Sequence, residues 1–313
     1  MAQALVAVAA LAVSAITAQA APTGDELLAR SEQGERSHDY RGVRAIRMFF
    51  PGQVVDAVTR VIHRKPATTR TEYISPPAMA GTIILQIGAE RWRHSPRNAG
   101  WQPVPALETG STERLRRNYE LRVTGGSVVA GRRCLVVLIT PRHEGNPSKR
   151  MWVDQATGLV LRSELFNWKQ DGISTSAFRE IEVDPDLSAE AERLRPPVAA
   201  PGFAAAGPPG FKPSYPHHVP PGYVLEGTTT IDLGRYRGAH IRYGDGLNSI
   251  SLFQAPASAF GTSGPFASEG WHFTEVVTWR RGEMSYAVVG DIDPAELRKI
   301  ADSMGAAAPP RGR

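Results

Sequence analysis

Between Ala130 and Val183 the chain carries four apolar and β-branched runs separated by connections too short for anything but antiparallel return. Cys134 to Thr140 is the first run, and Pro141 with the polar stretch His143 to Ser148 ends it, so that Arg150 to Asp154 comes back beside it. Gln155-Ala156-Thr157-Gly158 is a tight turn with Gly where positive φ is tolerated, and Leu159 to Trp168 follows as the third strand. Gln170-Asp171-Gly172-Ile173, with Asp-Gly as its signal, turns the chain into Ser174 to Val183. A meander of this kind needs more sheet on either side before it can bury a face.

The preceding residues supply it. Thr23 to Ser37 predicts a short helix with Thr23 or Asp25 as N-cap. Tyr40 to Phe50 and Gln53 to Lys65 form a hairpin about Pro51-Gly52, and in the second arm Val55, Ala57, Thr59, Val61 and His63 alternate with Val54, Asp56, Val58, Arg60, Ile62 and Arg64. Thr69 to Ile74 is a further strand, and Gly81 to His94 a hairpin turning near Gly88-Ala89. Thr109 to Leu121 changes period, with Ser111 as cap and Leu115, Tyr119 and Leu121 as an apolar stripe, and predicts a second helix.

Ile83 to Ile87 and Leu135 to Ile139 are apolar on both sides, which predicts a sheet covered on one face by helices and apolar on the other. Strong curvature would turn that second face into a cavity for acyl chains; the alternative is that the same residues fill a core. The acyl reading selects Ile83, Leu85, Ile87, Trp92, Val136, Leu138, Trp152, Leu165 and Trp168 as lipid-contacting residues. Trp152, Leu165 and Trp168 are the ones to test first.

At 313 residues, past the roughly 250 to 300 at which single cores stop growing, two domains are expected. The boundary lies where Pro and Gly become dense and periodicity vanishes, giving a leader over residues 1–20, a first domain over 21–187, a linker over 188–218, a second domain over 219–305 and a disordered tail over 306–313. Ala2 to Ala20 is an apolar run closing on Ala18-Gln19-Ala20, the pattern of a secretory signal, so the mature chain is expected in an exported compartment. The lone Cys134 has no partner for an internal disulfide and reads as a buried, inert thiol. Net charge is +5, but basic residues are interspersed with acidic ones, which argues against a nucleic-acid protein.

Beyond the linker, Tyr223 to Thr230, Arg235 to Tyr243, Ser249 to Ala255, Trp271 to Arg280 and Glu283 to Val289 predict strands. Asp293-Pro294 opens a helix whose apolar residues Ala295, Leu297, Ile300, Ala301 and Met304 recur at helical spacing. No phosphate loop, nucleophile elbow or metal-ligand spacing occurs, so neither a catalytic residue nor a metal or cofactor is assigned. His217-His218 sits in the Pro-rich linker without a third ligand nearby in sequence, and Asp154 is expected to cap the turn at Ala156 or Thr157.

Two sets of residues resemble a known family. Asn-Tyr-Glu-Leu-Arg-Val at Asn118 to Val123, Val-Ala-Gly-Arg at Val129 to Arg132 and Trp-Val-Asp-x-x-Thr-Gly-Leu-Val-Leu-Arg at Trp152 to Arg162 resemble the N-terminal domain of the MucB/RseB regulators, itself similar to LolA- and LppX-like lipoprotein carriers. Val219 to Tyr223, Tyr243 to Leu252 and Val289 to Ala301 resemble pieces of that family's C-terminal domain, in the same order. The resemblance implies an α+β protein: a curved antiparallel half-barrel sheet covered by helices, then a smaller α+β domain. It further implies a periplasmic, non-catalytic regulator of an envelope-stress sigma factor, with the periplasmic segment of a membrane-spanning anti-sigma factor as partner and lipid or lipopolysaccharide as signal. An oligomer is compatible with the sequence. The alternative function is a periplasmic lipid or lipoprotein carrier of the LolA type.

Overall fold

The computed structural model describes residues 21–50, 52–97, 100–104, 111–196, 207–233, 235–259 and 275–304. The leader 1–20, residues 260–274 with the start of the strand expected from Trp271, and the tail 306–313 lie outside the described residues.

In chain order the first domain comprises α1 (Gly24–Ser37), β1 (Tyr40–Phe50), β2 (Gln53–Arg64), β3 (Thr68–Ser75), β4 (Ile83–Ile87), β5 (Glu90–His94), β6 (Trp101–Pro103), α2 (Thr112–Asn118), β7 (Tyr119–Val129), β8 (Arg132–Pro141), β9 (Ser148–Asp154), β10 (Val160–Phe166) and β11 (Gly172–Val183). The second comprises β12 (Val224–Leu233), β13 (Tyr236–Gly244), β14 (Ser249–Pro256), β15 (Glu275–Arg281), β16 (Met284–Gly290) and α3 (Pro294–Ser303).

The meander is present as β8 to β11, each strand antiparallel to the next. Gly158 takes φ +80 in the turn between β9 and β10, as the sequence requires. In the turn between β10 and β11 the positive φ falls on Gln170 (+68), two residues before Gly172, because the Asn167 carboxamide oxygen accepts the Lys169 and Asp171 amides. β11 then pairs with β1, joining the two halves into one antiparallel sheet of order β6-β5-β4-β3-β2-β1-β11-β10-β9-β8-β7.

This sheet is strongly curved. β7 and β11 stand four places apart, about 19 Å in a flat sheet at ~4.8 Å per strand, yet they bring Cα atoms within 8 Å. α1 lies along the curl. Its N-terminal end packs Leu27 and Leu28 on Val137, Ile139, Met151 and Val153 of β8 and β9, while the Glu35 carbonyl near its C-terminal end accepts from His63 of β2 at 2.8 Å. Thr23 and Glu26 form a reciprocal capping box at its start.

Two sequence expectations differ from the structure. The helix read over Thr109 to Leu121 ends at Asn118, and Tyr119 to Val129 is instead the long strand β7. The ladder with β8 and the anchoring of Tyr119 in the second domain override the local helical period. The stretch assigned to the start of the linker forms a 3-10 helix over Ser188–Leu194, held because Leu187 and Leu194 bury against Ile62 of β2.

The second domain is a five-stranded antiparallel sheet of order β12-β13-β14-β16-β15 with α3 against one face. Asp293 caps α3 by accepting the Ala295 amide, and Leu297 and Ile300 enter a core with Ile241, Ile250, Leu252 and Val288. The end of the linker is strapped to this domain: the Ser214 amide donates to the buried Gln254 side chain at 2.9 Å and the Ser214 carbonyl accepts from it. Among the described residues no helix is long and apolar enough to cross a membrane.

Candidate functional site

The polar chemistry of the molecule concentrates where the two domains meet. α2 and β7 present Asn118 and Tyr119, the loop before β9 presents Gly145 and Asn146, and the second domain answers with the Gly244-Asp245-Gly246 turn between β13 and β14. Asp245 is completely buried. One carboxylate oxygen accepts from the Tyr119 hydroxyl at 2.5 Å and from Asn146 Nδ2 at 3.3 Å; the other accepts the backbone amides of Leu247 at 2.9 Å and Asn248 at 2.7 Å. Asn118 Nδ2 donates to the carbonyls of Gly222 at 2.9 Å and Asp245 at 2.8 Å, and the Asp293 amide donates to the Gly145 carbonyl at 3.1 Å.

Beside this network Arg114 of α2 reaches Glu226 of β12 at 2.6 Å, and Glu226 also faces Arg242 of β13 at 2.8 Å. Gly246 adopts φ +103 directly beneath α2, where a Cβ would collide with the backbone nitrogen of Leu115. Leu247 packs on the cluster that contains Leu115 and Tyr119, so the hydrophobic core of the first domain runs into the turn of the second. Burial raises the Asp245 pKa above its ordinary value of 3.8, although its hydrogen bonds act in the opposite direction; burial likewise lifts the phenols of Tyr119 and Tyr223. The arrangement contains no nucleophile paired with a base. It is a buried clamp that fixes one domain on the other.

The residues selected from the sequence as lipid contacts are not brought together at one place. Ile83, Leu85, Ile87 and Trp92 share, through the β3–β4 and β4–β5 registers, the face of Ile62 and Arg70, opposite the His63 face that meets α1. Val136 pairs with Trp152 and Leu138 with Arg150, again on the face opposite the Val137 and Met151 side that α1 covers. Trp152 is buried there, with the Arg162 guanidinium 4.5 Å above its ring. Leu165 alone lies on the α1 side, and Trp168 stands in the turn after β10 with the Lys169 ammonium 4.8 Å over its ring.

Three cavities along the sheet, among the described residues, are bordered by charge and include none of these nine residues. One of about 540 Å³ lies under the 3-10 helix between Arg41, Arg60, Arg193 and Glu190; one of about 360 Å³ lies among Arg47, Asp56, Arg162 and Arg179; one of about 150 Å³ lies between Glu35, Arg44, Ser163 and Ser176.

Other singled-out residues have structural roles. Asp154 accepts from the Thr157 amide at 3.1 Å and hydroxyl at 2.5 Å, the capping expected of it, and also pairs with Arg132 at 2.7 Å. Cys134 is buried, and burial raises its thiol pKa to about 11. His218 bonds Glu296 of α3 at 2.9 Å, and no group of three potential metal ligands occurs among the described residues. The clamp itself was not assigned from sequence, yet Asn118, Tyr119, Asp245, Gly246 and Asp293 lie inside the motifs that carried the family resemblance, while Asn146 and Gly145 lie outside them. Their clustering in those motifs was the available signal.

Residues 89–198 match the profile of the MucB/RseB N-terminal domain. The sigma factor AlgU regulatory protein MucB of Pseudomonas aeruginosa is 30% identical over 150 residues, 44% of this chain and 44% of that protein. The sigma-E factor regulatory protein RseB of Salmonella typhimurium is 26% identical over 209 residues, 64% of each chain. Over these stretches the chain is similar to the MucB/RseB family. Both alignments span less than two thirds of the curated MucB and RseB sequences. The solved MucA/MucB complex of P. aeruginosa resembles the chain with a TM-score of 0.68 at 21% identity, over 91% of this chain and 99% of that one. MucB in complex with MucA(peri) gives 0.66 at 20% identity, over 91% and 100%. At such identity the likeness is one of fold, and its extent takes in both sheets of the chain.

Proposed function

We propose that this chain is an exported, non-catalytic regulator that binds the periplasmic segment of a membrane-spanning anti-sigma factor, and that its half-barrel domain takes a lipid whose presence modulates that binding. The observation that carries the reading is the fold shared across both domains with a MucB that was solved together with MucA(peri). The clamp supports it physically. Asp245, Asn118 and Tyr119 hold the domains in one fixed relation, so a binding surface formed by both is present before the partner arrives and costs little ordering on association.

The lipid part rests on the curvature of the first sheet and on the strip of its inner face that α1 leaves open. The decisive measurement is titration calorimetry of the mature chain against the periplasmic segment of a membrane-spanning anti-sigma factor from the same organism, with and without lipid. Saturable binding that changes with lipid is the expected result; no binding under either condition would sink the regulatory reading.

A further inference from the structure

On the side of the first sheet away from α1, the 3-10 helix that begins the linker overhangs a cleft of about 540 Å³. Register sets its floor. Val43 of β1 pairs with Arg60 of β2 on one flank and with Glu180 of β11 on the other, and in the next row of the same face Arg41 pairs with Ile62 and Glu182. The 3-10 helix is held on this floor by Leu187 and Leu194 against Ile62, and it adds Glu190 and Arg193 to the lining.

Several charges of this cleft have no bonded partner. Among the described residues no hydrogen bond or ion pair holds the side chains of Arg60, Arg193 or Glu180. Glu72 stands opposite Arg60 on β3 but is taken by Arg70 at 2.7 Å; its pKa is lowered first by that bond and further by the charges of Arg60 and Arg193, which sets both cations on the β2–β3 flank. Arg41 bonds Glu182 at 2.7 Å and one oxygen of Glu190 at 3.2 Å, while the other Glu190 oxygen is buried and accepts from no donor. A carboxylate oxygen in that state is costly, and the soft terminal torsion of a glutamate can turn it toward a donor that enters the cleft. The walls are thus opposite in sign, with Glu180 across Val43 from Arg60, two strands away, about 9.6 Å at ~4.8 Å per strand.

We propose that this cleft binds a short zwitterionic peptide with free termini, its carboxylate on Arg60 and Arg193 and its ammonium donating to Glu180 and the free oxygen of Glu190. Three residues in extended form reach about 10 Å, the distance between the two walls, and lie over the apolar floor of Val43 and Ile62. The volume is that of an ordinary small-ligand site, roughly 300–1,000 Å³. The site is on the opposite face from the lipid strip and does not depend on the lipid or anti-sigma readings. Because Glu190 and Arg193 belong to the start of the linker, an occupied cleft ties that end of the linker to the first sheet.

The test is titration calorimetry of the full mature chain at neutral pH with trialanine, its N-acetyl and C-amide derivatives, and free alanine. Trialanine should bind saturably, and blocking either terminus should weaken it at least about tenfold, since each removes a charge-assisted contact. Alanine, too short to reach both walls, should also bind at least about tenfold more weakly. Arg60→Gln should erase the penalty of the C-amide and keep that of the N-acetyl group, Glu180→Gln should do the reverse, and Arg60→Lys should retain both. Neither Arg60 nor Glu180 bonds another side chain among the described residues, so the variants should melt with the wild type, which separates loss of binding from loss of fold. No heat from trialanine at about 10 mM overturns the proposal. So do blocked peptides that bind as tightly as the free one, alanine that matches trialanine, or terminal preferences that persist unchanged in both Gln variants.

Discussion

Removing the Tyr119 hydroxyl tests whether the clamp holds the two domains in place. In Tyr119→Phe the ring stays in the cluster with Leu27, Leu28 and Ile139, so the core of the first domain keeps its volume, and only the 2.5 Å bond to Asp245 is lost. Hydrogen bonds to a charged partner contribute about 1.5–3 kcal/mol, and Asp245 keeps Asn146 and the amides of Leu247 and Asn248, so ~2 kcal/mol of docking stability should disappear. The amides of Leu247 and Asn248 report the loss directly, because each is protected only while the Asp245 carboxylate stays in register. Hydrogen exchange should accelerate about thirtyfold at these two positions, at 1.4 kcal/mol per factor of ten, while amides in the interior of β14 keep their rates. Tyr215→Phe, which removes an exposed bond to Thr228, serves as the control and should change neither. Less than a threefold change at Leu247 and Asn248 in Tyr119→Phe would refute the argument that this bond secures the junction.

Gly246→Ala should be more severe, since a side chain at φ +103 is strained by about 1–3 kcal/mol and its Cβ meets the backbone of Leu115; a two-step urea transition would reveal the separated domains, and an unchanged single transition would contradict it. Asp245 has a pKa raised in the docked state, so its protonation favours docking: stability is greatest below about pH 4 and is lost as pH rises through the raised value, measurable as exchange at Leu247 against pH. His240 behaves oppositely. Its pKa is lowered to about 4, chiefly by burial and then by the charge of Arg242, so its contribution is full above 6.5 and is lost as pH falls through about 4. That loss approaches ~3 kcal/mol in the second domain, and His240→Gln should flatten the dependence of its urea midpoint on pH. Leu194→Ala should cost ~2–4 kcal/mol by releasing the 3-10 helix from Ile62, seen as a lower melting temperature of the first domain.

The strands and turns of this protein follow from short-range chemistry. Alternation in Gln53 to Arg64, Thr23 ahead of Glu26 and Asp293 before Pro294 each act within a few residues, and each stands where the sequence puts it. The family resemblance too was legible, because Asn118-Tyr119 and Tyr243 to Leu252 are spelled out contiguously. Tertiary structure decided whatever depends on partners distant in the chain. Tyr119 left its helical period because a ladder with β8 and a carboxylate 126 residues away outweigh a preference of a few tenths of a kcal/mol. The selected lipid contacts were chosen for hydrophobicity, which does not say which face of a sheet a residue takes once curvature and α1 have made the faces unequal. Lys149 reads in sequence as an ordinary basic residue beside Arg150; only the pairing of β8, β9 and β10 sets it between Ile139 and Leu165 on the α1 side of the sheet while Arg150 takes the other.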